Sequence, residues 1–291
     1  MPTRPAIAVI LIGWVVAATG LFRRDLLPDY RITPPPDLRS IAVAGEQSTP
    51  TNWFLSVAED KDLKNLRPVG RAFTHTERKL DGGTVLISNV SFDSDGLLQG
   101  TPFALKLGDH RGAGHLTVAN TCEIDPSGNL RQFRVVIKAA GDDVPLMTIE
   151  AQVVGRTIEV SAQSPLPLLN WTKKPYPYEP RGMIQNGIGP TDRLPGLQVG
   201  QRWETEIVNP LTGRVEKVKT EVAGKHSIQW NNTLVTTLEV VQNLSPISAR
   251  TWVRPDGLVL RQEVPLPFVR LILERAAGNL GDGGQSGTKA L

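Results

Sequence analysis

The chain has 291 residues, enough for one large or two ordinary domains and a sizeable core. Hydrophobic residues are 40% and charged residues 21%, a balance that folds; Gly (27) and Pro (23) are too frequent for a helical bundle and suit short strands joined by turns. One cysteine excludes an intrachain disulfide and a Cys-cluster zinc site, four histidines leave little for metal or acid–base chemistry, and 32 basic against 29 acidic residues in mixed order give no nucleic-acid surface.

Residues 6–22 read AIAVILIGWVVAATGLF, without a charge. At about 1.5 Å per residue this is close to the minimum that crosses a bilayer core. A cleaved signal peptide would use Val16-Ala17-Ala18 or Ala18-Thr19-Gly20 as a weak cleavage site. The lack of a polar stretch before Arg23 and Arg24 favours an uncleaved anchor over residues 1–24, with the membrane as its partner. Arg4 on one side nearly balances Arg23 and Arg24 on the other. The short leading end before a signal-like stretch favours an exported remainder, periplasmic or extracytoplasmic. Residues 25–50 carry Pro28, Pro34, Pro35, Pro36 and Pro50 and read as an extended stalk.

From Trp53 onward the text is strand-like. Arg156–Gln163 alternates strictly, with Ile158, Val160 and Ala162 on one face and Thr157, Glu159, Ser161 and Gln163 on the other. Leu116, Val118, Asn120, Cys122 and Ile124 form a second such row. Asp81-Gly82-Gly83, Asp93-Ser94-Asp95-Gly96, Pro126-Ser127-Gly128-Asn129 and Pro255-Asp256-Gly257 are turn signals, because Gly accepts positive φ and Asp or Ser bonds its own backbone. Residues 51–165 read as a first β domain. The proline-rich 166–195 reads as a linker or a long crossing segment. Residues 196–277 read as a second β domain, in which Phe268–Ala277 could form one short helix. Residues 278–291 read as a Gly-rich disordered tail.

Two motifs occur twice in the same order. Val69-Gly70-Arg71-Ala72-Phe73 matches Val199-Gly200-Gln201-Arg202-Trp203, and Pro126-Ser127-Gly128-Asn129-Leu130-Arg131-Gln132 matches the stretch from Pro255 to Gln262, at an offset of about 130 residues. That offset is too long for a solenoid or a propeller blade and suits a duplicated β unit. A coincidence of common turn words is the alternative.

Leu197–Gly213 (LQVGQRWETEIVNPLTG) and Thr251–Arg275 (TWVRPDGLVLRQEVPLPFVRLILER), with IDPSGNLRQF and IEAQVVGRTIEV earlier in the chain, resemble a group of bacterial membrane-anchored proteins of unknown function. The same words are similar to β domains related to outer-membrane lipoprotein carriers. The resemblance implies a mainly β fold of two related curved antiparallel sheets, half-barrel or sandwich-like, after one N-terminal transmembrane helix. It implies an envelope location and no particular activity.

No constellation for catalysis stands out. Cys122 shares the apolar row of a strand and reads as a core thiol rather than a nucleophile. His110 and His115 flank Arg111-Gly112-Ala113-Gly114 without a third ligand, and Asp93-Ser94-Asp95-Gly96 lacks the distal acids of a calcium loop. No cofactor or metal site is expected. Trp203 and Trp252 read as core residues that start strands. Trp171, Tyr176 and Tyr178, on the proline-rich segment, are the candidate partner or ligand surface; the alternative is a segment pinned onto the sheets by its aromatics. The expected function is non-catalytic: a membrane-anchored envelope β protein that binds a lipid-like ligand or a protein partner. The alternatives are a structural subunit of a membrane complex, and an envelope hydrolase with a dispersed site.

Overall fold

The computed structural model describes residues 36, 38–46, 50–58, 65–93, 114–165, 170–178, 189–209, 214–244, 247–265 and 269–277. The 6–22 segment, His110, residues 94–96 of the Asp-rich turn and the 278–291 tail lie outside them. Among the described residues no helix is long and apolar enough to cross a membrane.

Helix α1 (Leu38–Glu46) is followed by β1 (Thr51–Ala58), β2 (Leu66–Arg78), β3 (Thr84–Asp93), β4 (His115–Ile124), β5 (Leu130–Ala139), β6 (Met147–Val154), β7 (Thr157–Gln163) and β8 (Trp171–Pro177). The second run is β9 (Arg202–Asn209), β10 (Arg214–Trp230), β11 (Thr233–Leu244), β12 (Ile247–Val253), β13 (Val259–Pro265) and β14 (Arg270–Arg275). All fourteen belong to one sheet, in the order β8-β7-β6-β5-β4-β3-β2-β1-β14-β13-β12-β11-β10-β9. Two up-and-down meanders thus join where β1 pairs antiparallel with β14. The two expected sheets are one, and it is open: β8 and β9 are its free edges.

Turn chemistry explains the hairpins. In the β4–β5 turn the Gly128 amide donates to Asp125 O (2.9 Å) and the Asp125 amide to Asn129 O (2.8 Å). The β12–β13 turn repeats both bonds, Gly257 to Arg254 O (2.8 Å) and Arg254 to Leu258 O (2.7 Å). Gly128 and Gly257 have φ of 88° and 86°, a conformation that a side chain resists. This half of the sequence repeat is therefore structural. The other is not: Gly70 lies inside β2, while Gly200 turns the chain ahead of β9 with φ 82°.

The expected helix at 268–277 is strand β14. Leu271 and Leu273 face one side beside Val57 and Leu55, and Ile272 is buried on the other. Both faces of this strand are covered, so its apolar run lacks the alternation that would mark it as a strand. The tip of the β10–β11 hairpin reaches the last residue of this strand. Trp230 there donates through Nε1 to Arg275 O (3.0 Å), and Ile228, Trp230, Trp252, Leu258 and Leu260 form a small second core. A register shift between Val222 and Gly224 marks the bulge that adds twist to β10. Trp203 is the second residue of β9 and buried; Trp252 lies at the end of β12 rather than at its start.

The main core occupies the opposite face and includes side chains of both meanders. A strap, residues 189–195, crosses that face. Gly189 rests on Ser88 of β3, with Asn120 of β4 beside it, and two residues later the Thr191 amide donates to Gln262 Oε1 of β13 (2.9 Å). On a flat sheet β3 and β13 are four strands apart, roughly 19 Å at about 4.8 Å per strand. Two extended residues span at most about 7 Å. With one core drawn from both meanders, this marks a sheet that curves toward its core face. The segment read as a linker thus contributes strand β8 and the strap, and part of the segment read as a stalk is α1, whose Leu38, Ile41 and Ala42 are buried in the same core.

Candidate functional site

The concave face is built from cross-strand rows. Met147, Ile137, Val118, Val90, Ala72 and Trp53 stand directly opposite one another from β6 to β1. Leu55 continues the face to Leu273, and Val240 and Val222 extend it on β11 and β10. The adjoining row is polar at its centre: Thr51, Thr74, Ser88 and Asn120 are successive partners on β1, β2, β3 and β4. Thr74 Oγ1 accepts from Trp53 Nε1 (3.1 Å). Ser88 is 7% exposed and its hydroxyl has no partner among the described residues. A buried hydroxyl without a hydrogen bond costs about 1–3 kcal/mol, so Ser88 needs an explanation.

The strap is fastened at its far end. Beyond the Thr191 bond, Asp192 O accepts from the Val259 amide (3.1 Å), the Leu194 amide donates to Gly257 O (2.8 Å), and Arg193 forms a bridge with Leu258. Asp192 is the ion-pair partner of Arg275 Nη1; the Arg275 side chain is 2% exposed. Arg275 also donates to Thr51 Oγ1 (2.9 Å) and lies 5.4 Å from the Trp53 ring centroid. Burial lowers its pKa most, against the opposing pull of Asp192. This arginine ties the β1–β14 seam to the strap.

The aromatic residues singled out in the sequence sit at the β8 edge. Trp171 pairs with Ala162 and Tyr176 with Ile158, so both lie on the concave side, half-buried against the core. Lys174 lies between them, opposite Val160, with its ammonium 5.6 Å from the Trp171 ring centroid. The Trp171 indole N–H is buried without a partner. Tyr178 differs: it is buried, its hydroxyl accepts from the Leu130 amide (2.9 Å), and burial raises its pKa. Trp171 and Tyr176 thus form a rim, and Tyr178 pins the end of the segment. A recess of about 910 Å³ opens beside Trp171, lined among others by Val144, Pro145, Ser161, Gln163, Asn170 and Lys173.

Cys122 packs against the core, and burial, with Glu123 alongside, pushes its thiol up to about 12. His226 Nε2 contacts Glu239 (3.0 Å), which also pairs with Arg250 (3.4 Å), but no hydroxyl or thiol bonds its ring among the described residues. No group of three metal-ligating side chains gathers among the described residues.

No protein-family profile and no curated protein matches the chain. Among solved structures, a β-barrel-like protein of domain of unknown function DUF1849 from Brucella abortus is similar, at 10% sequence identity, over 78% of this chain and 95% of its own, with a TM-score of 0.46. That likeness transfers neither ligand nor role.

The sequence singles out Trp171 and Tyr176 but gives no sign of the β1–β14 seam. Arg275 ends a strand that reads LILER, and Ser88 is one polar letter in an alternating run. Neither carries a signal until the pairing of β1 with β14 and of β2 with β3 is known.

Proposed function

We propose that this is a non-catalytic, exported binding protein, held to the membrane by residues 6–22, whose concave face takes an amphipathic, acyl-chain ligand. The observation that carries the reading is the combination of an apolar face continuous across both meanders with a rim at the free β8 edge, where half-buried Trp171 and Tyr176 flank the exposed Lys174. Aromatic side chains with one polar end suit a boundary between an apolar interior and water, and a lysine there keeps its stem on the apolar surface and its charge outside. The acyl chain would lie along the inner rows and the polar end would face the Lys174 side.

The test is titration of a pyrene-labelled lysophospholipid into the full chain. A saturable, one-to-one signal is expected, and Trp171→Ala with Tyr176→Ala should weaken it by about tenfold, roughly 1.4 kcal/mol of lost contact. Equal affinity of the double variant and the wild type would remove the rim from the account. A protein partner at the recess beside Trp171 is the second reading, favoured by the polar side chains Ser161, Gln163 and Asn170 in its lining. Gln163→Arg would block such a partner and leave lysophospholipid binding unchanged.

A further inference from the structure

We propose that the sheet end carrying the β2–β3, β6–β7 and β10–β11 hairpin tips rests on the phospholipid surface, with Leu80, Val154 and Leu234 as its apolar contacts. The inference rests on the attachment by residues 6–22 in the reading above and goes beyond it by naming the surface that meets the lipid.

The register sets these tips at one end. Thr51, the first residue of β1, pairs with Thr74 near the end of β2, so the β2–β3 hairpin closes past the start of β1. Arg78, Thr84, Ile124 and Leu130 are successive partners, which puts the β2–β3 and β4–β5 turns side by side. Gln132 pairs with Gln152, so β6 ends at the same level, at Val154. Across the seam Trp53 pairs with Arg275, the last residue of β14, and the register through β13 and β12 carries that level to Leu238 in β11. Leu234 lies beyond it, at the tip of the β10–β11 hairpin. Leu80 is fully exposed, and Val154 and Leu234 are more than half exposed. Surface apolar residues scattered singly need no partner, but three that project from one end of one sheet offer a contact surface.

The chain itself says what covers it. Helix α1 lies at this end: Gly128, in the β4–β5 turn, packs directly on Arg39. The apolar 6–22 segment is joined to it through residues 23–35, which reach at most about 45 Å. The opposite end lies a strand away, and the 13 residues of β2 span about 43 Å at roughly 3.3 Å each. The tether therefore reaches the bilayer easily from the tip end and only at full stretch from the other. Charge agrees. The tip acids Asp81 and Asp256 are ion-paired with Arg131 and Arg254, while Arg78 and Arg156 stand exposed near Leu80 and Val154. An anionic headgroup surface thus meets paired acids and exposed cations, and the apolar tips can enter the boundary between headgroups and acyl chains.

The test reads lipid contact at single sites of the full chain, reconstituted into vesicles of phosphatidylcholine and phosphatidylglycerol. Leu80→Cys, Val154→Cys and Leu234→Cys each carry an NBD label. Leu66→Cys and Val144→Cys, exposed sites at the opposite end, serve as controls, and the wild type, whose one thiol at Cys122 packs against the core, is the labelling blank. Emission from the three tip sites should shift to the blue and fall several-fold when nitroxide-labelled phosphatidylcholine is included, with the control sites unchanged. Tips that stay unquenched in chains that float with the vesicles overturn the docking and leave the attachment and the concave-face reading standing. A blue shift without quenching means that protein, such as a second copy, covers the tips, and overturns it too, as does equal quenching at both ends. A chain that does not float with the vesicles overturns the attachment and the docking together. Leu80→Asp with Leu234→Asp changes only exposed side chains, so the fold is kept. In that chain, quenching of the label at Val154→Cys should drop to the control level; unchanged quenching overturns the role of the apolar tips.

Discussion

Arg275 gives the sharpest test of how the two meanders and the strap are held together. Arg275→Met removes a charge that is 2% exposed, its ion pair with Asp192, its bond to Thr51 and its place near the Trp53 ring, and keeps most of the side-chain length. Breaking one half of a buried ion pair costs about 3–5 kcal/mol, because the partner charge stays behind without compensation. Asp192→Asn keeps an acceptor but strips the charge from the other side, at a cost of about 2–3 kcal/mol. The two losses overlap, so the double variant should be destabilised by about 2 kcal/mol less than the sum of the singles. Urea unfolding of the four chains at low and high salt reads these values. The coupling should survive high salt, since a buried pair is little screened. The exposed pair Arg134–Glu150, 62% and 53% exposed, serves as the control, with an expected loss of under about 0.5 kcal/mol for Arg134→Ala. An Arg275→Met loss below about 1 kcal/mol, or strict additivity in the double variant, would refute the claim that this arginine ties seam and strap together.

Other outcomes follow from the same geometry. Gly257→Ala forces a left-handed residue and places its Cβ 2.7 Å from Pro195 Cα, whereas Gly155→Ala, with φ 63°, meets nothing within 4 Å. The second should cost about 1–2 kcal/mol and the first clearly more, by roughly another 1–3 kcal/mol, in the same urea assay; equal losses would mean that the strap does not pack on the turn. A thiol reagent at mildly alkaline pH should leave native Cys122 unlabelled while reacting fully with the urea-unfolded chain, because the thiol's pKa stands near 12; rapid native labelling would contradict its burial. Burial raises the Glu263 pKa despite Arg270, Arg261 and Arg250. A raised carboxyl pKa contributes stability that is complete below the unfolded value and is lost as pH rises through the folded value. Glu263→Gln should therefore gain on the wild type as pH climbs through that interval and hold its gain above it. A stability difference that is constant with pH would contradict this sign.

Much of the fold was legible because period-two alternation and turn residues are local signals. The Arg156–Gln163 alternation is β7, the row from Leu116 to Ile124 is the inner face of β4, and the turns at Gly128 and Gly257 close hairpins as their residues suggest. The strand at 270–275 was not legible as such, since a strand covered on both faces loses the alternation that distinguishes it from a buried helix. The union of the two halves was also hidden: it depends on β1 meeting β14 more than two hundred residues away, and no local pattern encodes that pairing. At the candidate site, Trp171 and Tyr176 stood out as aromatics among prolines. Tyr178 belongs to the same sequence cluster, yet its hydroxyl serves the Leu130 amide inside the core. Asp192 is an ordinary letter whose ion pair with Arg275 shows only when the strap crosses the sheet.

The central claim is that the concave face holds an amphipathic ligand. Native mass spectrometry of the full chain, expressed with its 6–22 segment and released from membranes in a mild detergent, tests it most directly. The account predicts a one-to-one adduct of lipid mass that organic-solvent extraction removes and that the chain with Trp171→Ala and Tyr176→Ala retains less well. A bare protein mass that stays bare after incubation with a lipid extract would contradict it.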